Sequence, residues 1–219
     1  MRLVAVVLVV LATAGCPHSR EPAPAPSATL VRQVNPAYIK RVRRDLPPGY
    51  EVAAVSGVAG PPATWGLGRV WAADPPRCAA LVDPAHGHGE PAGGISGSGA
   101  GGTLYALVTT TPNSLVAPDP ALVAQCPHWT VTNGRATARV RLIEAPRIDG
   151  VETLGMVADT TNTVEGGNET TSRANTFGAY LGGYYAFTTG ITDPGSPQPQ
   201  LEVRSVADLL VKTVAELRH

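Results

Sequence analysis

His86, His88 and Glu90 alternate at the start of the glycine-rich run from His86 to Gly102, and imidazoles with a carboxylate are donor types that hold zinc. No fourth donor accompanies them, and ligands this close together on flexible backbone converge poorly on a tetrahedral ion. The run is therefore read as a long, solvated Gly-rich surface loop, with no metal and no other cofactor. Further along it, Gly97-Ser98-Gly99-Ala100-Gly101-Gly102 has the glycine density of a dinucleotide-binding turn. A strand-like pattern follows where that turn requires a helix, and there is no phosphate-loop lysine. Gly94-Ile95-Ser96-Gly97-Ser98 lacks the Gly-x-Ser-x-Gly spacing of a nucleophile elbow. His128, between Pro127 and Trp129, reads as a packing residue at a strand edge. No nucleophile, base and orienting acid assemble, so the expectation is a protein that is not an enzyme. A hydrolase would require a histidine within hydrogen-bond reach of a serine or carboxylate in a pocket.

The cysteines carry chemistry of another kind. Arg2 precedes an uninterrupted apolar run from Leu3 to Ala12. At about 15–18 Å as a helix, the run is too short for a hydrocarbon core of about 30 Å, and residues 1–15 read as a signal peptide. Thr13-Ala14-Gly15-Cys16 resembles the lipobox of bacterial lipoproteins, although Thr13 stands where leucine is usual. The resemblance implies that Cys16 becomes the lipidated mature N-terminus, carrying diacylglycerol and palmitate and anchoring the chain to the extracytoplasmic face of the cell membrane. The alternative is ordinary cleavage after Ala12-Thr13-Ala14, with Cys16 left as a thiol. The remainder of residues 16–29 is a Pro/Ala tether, PHSREPAPAPSAT, able to span roughly 40 Å as extended polyproline-like chain. Cys78 and Cys126 remain, and two thiols in an exported chain are expected to pair as one disulfide.

These residues need elements to position them. The 219 residues are 43% apolar and 16% charged, with seventeen cations against seventeen anions. Zero net charge excludes the strongly basic surface of the usual nucleic-acid-binding domain, so nucleic acid is not an expected partner. Residues 30–219 fit a single globular domain. Asn35 as cap and Pro36 at the first position open a helix running to Asp45, with Ile39, Val42 and Leu46 inward and Lys40, Arg41, Arg43 and Arg44 clustered on it. Strands are predicted over Tyr50–Val58, Thr103–Thr110, Trp129–Thr132, Arg135–Glu144, Val151–Thr160 and Tyr180–Thr189, and Asn133-Gly134 suggests a type I′ hairpin. Short helices around Cys78 and before Cys126 would be stapled by the disulfide. The polar stretch Asn162 to Thr176 reads as a long hairpin loop, and Ser205 to Asp208 as a capping box opening a C-terminal amphipathic helix. The expected fold is α+β: a single antiparallel sheet of about five or six strands packed by N- and C-terminal helices, with one disulfide and the long Gly-rich loop.

Tyr180, Tyr184, Tyr185 and Phe187 surround Gly182 and Gly183. Alternation along one strand puts Tyr180 and Tyr184 on a shared face, where they are candidates for ligand binding beside glycines that permit close approach.

The lipobox, the tether, Asn35-Pro36 with its basic helix, Leu46-Pro47-Pro48-Gly49-Tyr50-Glu51-Val52, Trp65-Gly66 and Asp74-Pro75-Pro76-Arg77-Cys78 together resemble a mycobacterial lipoprotein family of unknown function. More distantly, the layout is similar to the extracellular sensor domain of a mycobacterial Ser/Thr kinase, which has more cysteines. The resemblance implies a cell-envelope lipoprotein acting as a non-enzymatic binding or sensor-like module for an unidentified small molecule, lipid, glycan or protein. The alternative is a structural lipoprotein that scaffolds envelope proteins. The expected partners are the membrane, through the lipid anchor, and an unknown ligand or envelope protein.

Overall fold

The computed structural model describes residues 33–58, 60–86, 90–112, 114–164, 166–192 and 197–219. The signal segment, Cys16, the tether and His88 lie outside them. Within the described chain a 3₁₀ helix, Pro36–Asp45, is followed by β1 (Glu51–Val58), α1 (Pro61–Thr64), β2 (Ala72–Asp74) and α2 (Ala79–Val82). Next come β3 (Ala92–Gly99), β4 (Gly102–Thr110), α3 (Pro120–Gln125), β5 (His128–Thr132) and β6 (Ala136–Ile143). The last elements are β7 (Glu152–Thr163), β8 (Glu169–Tyr180), β9 (Tyr184–Thr192) and α4 (Val203–Leu217).

The nine strands form one sheet in the order β1-β3-β4-β9-β8-β7-β6-β5-β2, and every pairing in it is antiparallel. The chain thus leaves β1 at one edge, passes to β2 at the other, returns to β3, and travels back again to β5 before meandering home to β9. Those crossings cover one face of the sheet, burying Trp65, Leu67, Leu81 and Val82 against Leu107, Met156 and Phe187. The opposite face is covered by the 3₁₀ helix and α4, with Ile39, Val42, Val206, Leu210 and Val214 packed on Leu104, Ala106 and Phe177. Asn35 caps the first helix as expected, its Oδ1 accepting from the Ala37 N–H at 3.1 Å. In β6, buried alanines and valine alternate with exposed Thr137, Arg139 and Arg141, the signature of a strand with one wet face.

The expected α+β fold with five or six strands is wrong: the described domain is mostly β, one nine-stranded sheet with few helices, and the reasons are local. The Gly-rich segment is not a loop throughout, because Ala92–Gly99 is β3, paired on both sides by β1 and β4. Its glycines are spaces for neighbours: a Cβ on Gly97 would sit 2.7 Å from Leu46 Cδ1, and one on Gly99 would sit 2.4 Å from the Tyr50 ring. The polar run read as a hairpin loop is the end of β7 and most of β8, paired from Glu152↔Tyr180 to Thr163↔Glu169. A threonine-rich strand whose exposed end is paired on one side by β7 needs no apolar signature there. β2 is too short to show a period. Two end signals also resolve differently. Asn133 keeps a negative φ, so the β5–β6 turn is not type I′; its Oδ1 instead accepts from the Arg135 and Ala136 N–H groups at 2.9 and 2.7 Å. The C-terminal helix begins at Val203, before the supposed capping box, with no side-chain cap.

Cys78 and Cys126 form the disulfide, with Cα atoms 5.9 Å apart and both residues fully buried. It joins the segment returning to β3 with the one leading into β5. Closing a loop across a sequence separation of 48 stabilises a chain by about 4 kcal/mol in the loop-entropy account. Urea unfolding of the reduced protein or of Cys78→Ala/Cys126→Ala is expected to show a loss of that order; an unchanged midpoint would contradict it. Overpacking typically costs about 1–3 kcal/mol, and Gly99→Ala is expected to lose that much because of Tyr50. The loss should shrink in a Tyr50→Ala background, and additive losses would rule out the contact as its cause.

Candidate functional site

The turn after α2 is where the covering segments leave a recess. Asp83 precedes Pro84, and its Oδ1 accepts from the Ala85 N–H at 3.3 Å, while the His86 N–H donates to the Asp83 carbonyl at 3.1 Å. This compact turn brings the His86 Nδ1 to 3.5 Å from Asp83 Oδ2. Asp83 is only 4% exposed, whereas the His86 side chain is 58% exposed. Gly60, at φ 95°, supplies the space for the carboxylate: a Cβ there would lie 2.5 Å from Asp83 Oδ2. The Trp71 ring sits 5.1 Å from the imidazole, centroid to centroid, and supports it from the side.

Around this pair opens a cleft of about 200 Å³ lined by Arg69, Asp83, His86, Glu90 and Thr109, with Val58 and Ala92 among its apolar walls. Strand register explains why they meet, since Val58 of β1 pairs with Ala92 of β3. Thr109, near the end of β4, donates its hydroxyl to the Glu90 carbonyl, and the Glu90 N–H donates to Thr110 Oγ1 at 3.1 Å. These bonds tie the end of the 83–92 connection to the sheet. On its other side the cover is pinned by Trp65, whose indole N–H donates to Thr176 Oγ1 at 3.0 Å.

Burial pushes the Asp83 carboxyl above its ordinary 3.8, opposed by the charge of His86 and by the Ala85 N–H. Burial likewise raises the Tyr185 hydroxyl well above its usual value, and the charges of Tyr180 and Asp83 add to it. The recess thus holds a carboxyl that is 4% exposed and, among the described residues, has no guanidinium within ion-pair distance, a costly arrangement of the kind found at sites that bind or transfer charge. The Asp83–His86 contact also meets the first requirement of an acid–base pair. Among the described residues its second is not met, because no serine or cysteine lines the cleft and the Thr109 hydroxyl is already donated to the Glu90 carbonyl.

Of the residues singled out from the sequence, His86 and Glu90 line this cleft, and His88 falls outside the described residues. Among the described residues no group of three or more His, Cys, Asp or Glu is placed to hold a metal ion. Tyr180 and Tyr184 do not share a face, because Tyr180 ends β8, Tyr184 begins β9, and the turn between them contains Gly182 and Gly183 at positive φ. Tyr180 is buried against Tyr185, their ring centroids 5.3 Å apart, and Tyr184 packs with the cluster under α4. Neither lines the cleft. Sequence reading missed Asp83, Arg69 and Thr109. The one available signal was Asp83-Pro84-Ala85-His86, where an aspartate before proline marks a turn that places residues three apart side by side.

This is a domain built on one antiparallel sheet, with terminal helices on one face and a disulfide-stapled cover on the other. The chain belongs to the DUF5642 family, a domain of unknown function, whose family model matches residues 35–218. Its fold is similar to the X-ray structure of an uncharacterized Mycobacterium smegmatis protein, the Rv0999 ortholog, with a TM-score of 0.60 at 19% identity. That likeness covers 86% of this chain and 100% of the other. The extracellular domain of PknH from Mycobacterium tuberculosis is similar at a TM-score of 0.42 and 12% identity, over 84% of this chain and 93% of that one. A search of the curated proteins finds no match.

A raised carboxyl value fixes the sign of a pH effect. The folded state holds the Asp83 proton more tightly than the unfolded chain, so this contribution favours the fold at low pH and is lost as pH rises through the folded value. Asp83→Asn is therefore expected to gain stability relative to the parent as pH rises from about 3.8 upward. Parallel stability profiles in urea titrations across that range would contradict a desolvated Asp83.

Proposed function

We propose that the protein is a non-enzymatic binding module displayed outside the cytoplasm on a lipid anchor, and that it recognises a small polar ligand in the Asp83–His86 cleft. The observation carrying this reading is the desolvated Asp83 carboxylate, held at a cleft and aimed beside an exposed imidazole. A buried acceptor whose partners are one backbone N–H and a half-exposed imidazole at 3.5 Å favours a ligand that brings further hydrogen-bond donors or an ammonium group. Arg69 on the same wall offers a matching contact for a carboxylate, which makes small amines and free amino acids the chemistry of choice. At about 200 Å³ the cleft is smaller than the roughly 300–1,000 Å³ of drug-sized sites, in keeping with a ligand of few atoms.

The extracytoplasmic setting is supported by the buried disulfide, a bond that persists in oxidising compartments, and by the lipobox-like Thr13–Cys16 segment. Thermal unfolding against a panel of small amines and free amino acids tests the site. At least one member is expected to raise the melting temperature of the parent and to leave Asp83→Asn unmoved. No shift with any member, or equal shifts in both proteins, would remove the reading.

A further inference from the structure

The 3₁₀ helix Pro36–Asp45 carries its charge on one side. Ile39 and Val42 are buried beneath it, and Lys40, Arg41, Arg43 and Arg44 are exposed. Two of the neighbouring acids are already matched, Glu216 of α4 binding Arg44 at 3.0 Å and Asp45 binding Lys212 of α4 at 3.6 Å, while Asp208 of α4 lines the same recess as Arg44. Those two pairs stitch the helices together and leave a surplus. Among the described residues no carboxylate lies within ion-pair distance of Lys40, Arg41 or Arg43. The Arg41 guanidinium instead rests 3.5 Å from the centre of the Tyr38 ring, an aromatic beside a cation at the rim of the same face.

Chain path says what this surface meets. The helix is the first element of the described chain, and the Asn35 N–H donates to the Leu217 carbonyl at 2.8 Å, so the chain enters beside the C-terminal end of α4. The whole chain has a net charge of zero, so a distant anionic surface exerts little pull on it. A local cluster acts only within a Debye length of about 8–10 Å, and a Pro/Ala segment of the length read from the sequence would permit the domain to stand off or to come into contact. The unpaired cations decide between those two positions.

We infer that the exposed face of this helix docks on an anionic phospholipid surface and holds the domain against the membrane. The orientation rests on the lipid-anchored reading above, while the surface chemistry does not. Lys40, Arg41 and Arg43 meet headgroup phosphates, and Tyr38 sits at headgroup level, where aromatic rings with one polar end are favoured. Docking this way leaves the sheet face that bears the Asp83–His86 cleft on the far side from the membrane, open to solutes, because the helix and the cleft lie on opposite faces.

Vesicle co-sedimentation of the exported chain from residue 16, carrying Cys16→Ser, tests this without the acyl anchor. The described domain makes its sheet and both apolar clusters from its own residues, so it folds without the lipid. Binding is expected on phosphatidylglycerol–phosphatidylcholine vesicles at low salt, with loss at high salt and none on phosphatidylcholine. Each neutralised cation is expected to weaken partitioning about fivefold, so Lys40→Gln/Arg43→Gln should lose about twenty-five-fold with an unchanged melting temperature. No binding to the anionic vesicles, equal binding to neutral ones, salt-independent binding, or a folded double variant that binds as the parent does would each overturn the inference. The anchor is judged apart from this by the mass of the N-terminal peptide recovered from native membranes. An unmodified Cys16 with anionic-vesicle binding retained removes the anchor and leaves the docking surface standing.

Discussion

The chain crosses one face of its sheet repeatedly between β1 and β5, and the short β2, paired with β5, anchors the first crossing at the far edge. The covalent bond between Cys78 and Cys126 holds the return from it. It ties the return segment to the path into β5, and Leu81 and Val82, which follow Cys78 by a few residues, are thereby pressed onto the apolar face with Trp65 and Leu67. Asp83 comes next in the chain. With Val82 fully buried and the turn closed by the Ala85 and His86 N–H groups, its carboxylate has nowhere to go except the space left by Gly60. A cross-link from Cys78, five residues before Asp83, to the distant Cys126 thus helps set the position of the cleft's charge.

That charge is expensive where it stands. Removing a carboxylate from water costs several kcal/mol unless it is paired and hydrogen-bonded, and Asp83 has one backbone donor and an imidazole at 3.5 Å. An aliphatic residue would fill the same space at less cost, so the arrangement makes physical sense as part of a site whose remaining partner is brought by a ligand. The opposite face shows the other use of charge, with Arg44–Glu216 and Lys212–Asp45 spent on joining helices and the remaining cations left to solvent. One sheet therefore separates a surface suited to a small solute from a surface suited to phosphate.

Much of the framework was legible because it obeys simple periods. Asn35-Pro36 marked the first helix, the alternation in Ala136–Ile143 marked a half-buried strand, and cysteine counting paired Cys78 with Cys126. What escaped has a common cause in tertiary contact. Gly97 and Gly99 look like loop residues because their reason for being glycine, the Leu46 and Tyr50 side chains above them, lies some fifty residues away in the chain. Strand β8 begins with polar residues that pair with β7 alone, and β9 joins it only from Arg173 onward, a fact no local pattern contains. The tyrosines misled for the opposite reason: treating Tyr180–Thr189 as one strand ignored the turn at Gly182-Gly183, and so joined two residues that face opposite cores. His86 was noticed for its spacing from His88 and Glu90, whereas the partner the structure shows is the carboxylate three residues before it.

The central claim is that Asp83 recognises a small polar ligand, and native mass spectrometry of the protein recovered from its own cells tests it most directly. The account predicts a low-mass adduct on the parent that is absent from Asp83→Asn. An adduct retained by that variant would contradict it, and so would a parent free of adduct that also stays free when titrated with small amines and amino acids.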